Sequence, residues 1–86
     1  MPLSQPECEI CLMLLNNELS AIEIARAQNK GVYLIYDAIK LLADKKLIND
    51  HKAIQPDERG GNLKIKLTPK GERVAELLNK LEQELK

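Results

Sequence analysis

The chain has no Phe and no Trp, and its only aromatics are two Tyr among 86 residues. Its core must therefore be assembled from aliphatic side chains. Net charge is also missing, because thirteen Lys or Arg meet thirteen Asp or Glu, so no global field draws the chain to nucleic acid or to a membrane. The longest apolar run, Ile10 to Leu15, is far too short to span a bilayer. The N-terminus has no basic stretch leading into an apolar one, so no secretion signal is expected and the chain reads as cytoplasmic. Cysteine is confined to Cys8 and Cys11 and histidine to His51, too few ligands for a four-coordinate zinc site within one chain. There is no Ser-His-acid set, and Gly60–Gly61 is not followed by a helix that could cradle an anion. Enzyme chemistry and cofactors are set aside.

What is present is ordinary in composition, with 44% hydrophobic and 30% charged residues. The length fits one domain near the small end of what folds on a single core. Such a core is marginal, and joining a second copy is one remedy. The charges are unevenly placed. Residues 1–23 hold four Glu and no base, a net of −4. Residues 24–73 hold eleven Lys or Arg against six Asp or Glu, a net of +5, and residues 74–86 carry −1. A central basic excess can create a local positive field on a neutral protein, or it can be a solvated face.

Periodicity supplies the elements. Ser4-Gln5-Pro6-Glu7 is a capping-box pattern, and it opens a helix expected over 5–16. Ile10 through Leu15 is apolar all around that helix, so more than one side should be buried. Ser20-Ala21-Ile22-Glu23 repeats the pattern and opens a second, short helix. Lys30-Gly31 is read as the turn that follows, with Gly accepting the backbone angles. A third helix carries Ile35, Ile39, Leu42 and the stem of Lys46 as a single buried stripe. Two helices separated by a short turn, within 20–46, form a helix-turn-helix. Leu63-Lys64-Ile65-Lys66-Leu67 then alternates strictly, with both lysines on one face. Its expected partner is Leu47 to Ile54, and Gln55 to Asn62 is the turn-rich loop between them. The hairpin over 47–67 is a wing. Thr68 caps a last helix over 69–85, with Pro69 at its first position. The predicted fold is α+β, mostly α: a winged helix-turn-helix with a three-helix core, a two-stranded wing and a C-terminal helix.

The matching residues carry a resemblance. Leu19-Ser20, Glu23-Ile24-Ala25 and Lys45-Lys46-Leu47-Ile48 match, without a gap, the pattern of winged-helix transcription regulators. The run Leu34 to Leu42 resembles PadR-type regulators, with Asp37 in place of their Pro. Thr68-Pro69-Lys70-Gly71 is similar to the segment after the wing in MarR- and PadR-like proteins. Lys46 stands where that pattern has Gly. The resemblance implies a double-stranded DNA partner, a homodimer and a regulator of transcription. A repressor is expected, since little chain remains for an activating surface.

Candidate contacts follow. With Ile35, Ile39 and Leu42 inward, Tyr33, Tyr36, Asp37, Lys40 and Asp44 are read as the outward face of the third helix. Tyr33, Tyr36 and Lys40 are candidates for phosphate or base contacts. Asp37 and Asp44 would repel phosphates, which keeps the back of the helix off the duplex. Arg26 and Lys30 flank the turn, Lys64 and Lys66 share a strand face, and Arg59 at the wing tip suits a narrow minor groove. The same residues also suit a solvated surface, or a winged-helix module that binds a protein instead of DNA. The dimer surface is expected on the first and last helices: Cys8, Cys11, Leu12 and Leu15, with the stripe Val74, Leu77, Leu78, Leu81 and Leu85. Residues three apart on a helix are too distant for an easy disulfide, so the thiols read as small buried hydrophobes. A bridge between subunits and a thiol sensor are the other possibilities. His51 on the first wing strand reads as exposed. No small-molecule effector is legible.

Overall fold

The structure is a computed structural model and describes residues 3–49 and 64–85. Three of the four described helices begin where the sequence provides a side-chain cap. In α1 (Gln5–Leu14) the Ser4 hydroxyl accepts from the Glu7 amide at 3.4 Å, and the Glu7 carboxylate accepts from the Ser4 amide at 3.2 Å. The helix stops two residues short of the expected end, because Leu15 is extended and Asn16 is left-handed at φ 69°. A two-residue strand, β1 (Leu19–Ser20), leads into α2 (Ala21–Gln28). Its cap repeats the first: the Ser20 amide donates to Glu23 at 2.9 Å and the Glu23 amide to the Ser20 hydroxyl at 3.2 Å.

The turn after α2 is not built as the sequence suggested. Asn29, not Gly31, takes the left-handed conformation, at φ 55°. Its amide donates to the Arg26 carbonyl at 3.2 Å, and the Lys30 amide donates back to Ala25 at 3.0 Å, a Schellman closure. Asn tolerates this conformation better than most side chains. Gly31 sits at φ −66° and ψ 142°, ordinary extended backbone, and caps α3 (Val32–Asp44) without a side chain. The end of α3 repeats the closure, with Lys46 donating to Ala43 and Leu47 to Leu42, both at 3.0 Å. Lys46 is left-handed here at φ 64° and lies past the helix, exposed, so it does not continue the buried stripe.

Strand β2 (Lys64–Ile65) pairs antiparallel with β1, Leu19 opposite Ile65 and Ser20 opposite Lys64. On the other edge Ile48 bridges Leu67, and the Asn49 amide donates to the Lys66 carbonyl at 3.1 Å. The expected pairing of the 47–54 segment is thus present at its base, and the unexpected partner is Leu19–Ser20. Two residues are too few to display a period. The remainder of the wing, with His51, Arg59 and the loop, lies outside the described residues.

Helix α4 (Pro69–Glu84) starts under Thr68, whose hydroxyl accepts from the Gly71 amide at 3.0 Å and donates to the Lys46 carbonyl at 2.6 Å. Gly71 is required here, since a Cβ on it would lie 1.9 Å from the Leu47 carbonyl oxygen. The core is aliphatic: Ile10, Leu14, Ile24, Ile35, Ile39, Leu42 and Ile65 are all sealed. Tyr36 joins it at 7% exposure.

Candidate nucleic-acid interface

Helix α3 places its apolar stripe on the core and leaves a face outward. That face consists of Tyr33 (76% exposed), Leu34 (62%) and Leu41 (47%), together with exposed Asp37, Lys40 and Asp44. Tyr36 does not belong to it. Helical spacing puts Tyr36 outward, and the structure corrects this by packing the residue into the core at 7% exposure. Leu34 and Leu41 replace it, two side chains that the sequence reading did not put forward.

The basic candidates divide by partner. Arg26, Lys40 and Lys66 are exposed. Lys64 is exposed as well, but its ammonium meets Glu23 Oε1 at 2.5 Å. That hydrogen bond, with the one from the Ser20 amide, lowers the Glu23 carboxyl to about 2. Lys30 stands 3.6 Å from Glu9, a pair whose side chains are each about one third exposed. Two of the expected phosphate contacts are therefore already held by carboxylates. Neither partnership had a signal in the sequence, because Glu23 and Lys64 are 41 residues apart. Arg59 lies outside the described residues.

A third lysine closes the helix-turn-helix onto α1. Lys45 Nζ lies 2.6 Å from Glu7 Oε2, and the Glu7 side chain is 3% exposed. Burial pushes the Glu7 carboxyl upward, but hydrogen bonds from Lys45 and Ser4 outweigh it and hold the group below its ordinary 4.5. The charge is buried in company, as a buried charge must be.

The second surface involves α1 and α4, which pack on each other. Leu77, Leu81 and Leu85 are 66%, 57% and 79% exposed, and Val74 and Leu78 are half-buried. Cys8, Leu12, Met13, Leu78, Leu81 and Leu85 line an open groove of about 670 Å³. Leu15 is half-buried beside it in sequence. Cys11 does not face outward. It is fully enclosed in the core, which corrects its placement at a subunit contact. Burial, with the nearby Cys8 and Glu7, raises its thiol to about 11, so it stays protonated and unreactive. Both cysteines are unpaired. Among the described residues no cluster of three or more His, Cys, Asp or Glu could hold a metal ion, and no helix is long and apolar enough to cross a membrane.

No known family model matches the chain, and no curated protein does. Solved structures do. A single-site mutant of ZitR from Lactococcus lactis superposes with a TM-score of 0.80 at 17% identity, over 99% of this chain and 56% of that one. The adhesin competence repressor AdcR of Streptococcus pyogenes gives 0.79 at 20% identity, over 98% and 59%. The DNA complex of S. aureus MepR gives 0.72 at 20%, over 96% and 67%. These neighbours are MarR-family winged-helix regulators. At such identities the likeness is one of fold: this chain has the winged helix-turn-helix architecture of MarR-like proteins. It spans less than two thirds of the length of the first two.

Proposed function

We propose that this chain is a cytoplasmic, sequence-specific regulator of transcription that binds double-stranded DNA as a homodimer and represses. The observation that supports the reading is the exposed side of α3, set in the fold that MepR shares and that is solved there with DNA. Such a helix suits a major groove, with its first turn toward the base edges. Arg26, Lys40 and Lys66 are its phosphate contacts. Lys30 and Lys64 join them only by loosening their carboxylate partners, and Arg59, which the sequence puts in the loop of the wing, is assigned to the minor groove. Copies joined through α1 and α4 cover Leu77, Leu81 and Leu85, with Cys8, Leu12, Leu15, Val74 and Leu78 around them. Two α3 helices then address major grooves about 34 Å apart on one face of the duplex.

The test is a gel-shift titration against DNA from the protein's own locus, with sedimentation of the unbound protein. A shift that weakens steeply with salt and a dimeric mass are expected. Removing Lys40 or Lys66 should lower the salt slope by about one unit each, and Lys64→Ala by less. No shift at low salt rejects the proposal.

One observation favours a second reading, a module that docks on a protein. The outward side of α3 carries a single Lys against Asp37 and Asp44, beside exposed Tyr33, Leu34 and Leu41. The double variant Tyr33→Ala/Lys40→Glu separates the two. Loss of the DNA shift supports the regulator, whereas an unchanged shift with loss of a co-purified protein supports the module.

A further inference from the structure

We infer that α3 selects DNA by its thymines, with Leu34 and Tyr33 packing on C5-methyl groups in the major groove. The inference rests on the DNA-binding reading above and gives that surface its base preference. The outward side of α3 has one cation, Lys40, against the two carboxylates of Asp37 and Asp44, so most of the phosphate attraction originates off this helix. The exposed cations Arg26 and Lys66 lie on α2 and beside β2. What α3 itself offers is apolar contact. Tyr33 and Leu34, its most exposed apolar side chains, are adjacent in its first turn. The first turn of a recognition helix is the part that reaches base edges. Among the base edges of the major groove, the thymine methyl is the one apolar group. Leu34 is largely in solvent, whereas Ile35, Ala38 and Ile39 of the same helix are buried in the core.

The experiment uses the full chain to select duplexes from a randomised pool at low salt. Each thymine of the selected site is then replaced by deoxyuridine, which deletes only the methyl group. At one or more positions in each half-site, affinity should fall about fourfold, the weight of one buried methyl. Leu34→Ala should bind more weakly and lose sensitivity at that position, with its thermal melt unchanged because the side chain is exposed. Full tolerance of deoxyuridine at every thymine overturns the inference and leaves the DNA-binding reading standing. The same holds if Leu34→Ala binds as the parent does. If no duplex is selected at all, both fall. Loss of a co-purified protein from Leu34→Ala in that case assigns the face to protein docking.

Discussion

Ser4-Gln5-Pro6-Glu7 and Ser20-Ala21-Ile22-Glu23 have the same local pattern and open α1 and α2 with the same pair of hydrogen bonds. Each glutamate then meets a lysine far along the chain, Lys45 at 2.6 Å and Lys64 at 2.5 Å. The settings differ. The Glu7 side chain is 3% exposed and the Glu23 side chain 44%. One pair pins α1 to the end of α3, and the other ties β2 to the start of α2. The difference teaches that a capping box fixes a helix start by local geometry, whereas the weight of its carboxylate depends on how much water tertiary packing leaves around it.

The comparison is open to test. The largest effect is expected from Lys45→Ala, which strands the buried Glu7 carboxylate. Urea unfolding should show a loss of about 2–3 kcal/mol, somewhat below the usual cost of breaking a buried pair because Lys45 is partly wet. The matching Lys64→Ala change should cost far less, and its cost should vanish in high salt. An equal loss at both sites would break the contrast. A gain of about 1 kcal/mol is expected from Lys46→Gly, which relieves the left-handed backbone at the residue after Lys45. The same unfolding assay measures it, and no gain would mean that the turn is unstrained.

The smallest effect concerns pH. The Glu23 carboxyl is lowered to about 2 in the folded chain. Its contribution is therefore complete above its unfolded value near 4.5 and is lost as pH falls toward 2. Glu7, also lowered, contributes with the same sign. Melting temperature should decline over that window, and Glu23→Gln should flatten part of the decline. A decline unchanged by Glu23→Gln would show that the exposed pair contributes nothing.

Much of this architecture was legible in short-range pattern. Both capping boxes, the Thr68 cap and the alternation at Lys64–Lys66 are local statements, and local hydrogen bonding realises each of the three caps. The resemblance to MarR-like regulators rested in part on the same segments, the starts of α2 and α4, and the solved neighbours have the fold it implied. Where the reading failed, the missing information was not local. Gly31 was favoured for the turn on its intrinsic freedom, yet Asn29 took the left-handed place, one residue past the end of α2. Cys11 fits its reading as a small buried hydrophobe but not its place on the expected dimer surface, because a helix that is apolar all around does not say which side faces the core.

Tyr36 and Leu34 show where the boundary lies. On a wheel centred on Ile35, Ile39 and Leu42, both stand roughly 90–110° from the centre, on opposite flanks. The periodicity of the sequence determined that stripe, and with it that Lys40, Asp37 and Asp44 would face solvent. It could not rank the two flanks, because a helix has no preferred side until something packs against it. Only the tertiary structure, with α1 and α2 against α3, buried Tyr36 and left Leu34 in water. The same packing chose Lys45 and Lys64 as partners for two glutamates 38 and 41 residues away. The reason is range: hydrogen bonds and 3.6-residue periodicity act within a turn or two of helix, whereas burial and charge pairing depend on which distant segments the fold brings within a few ångströms.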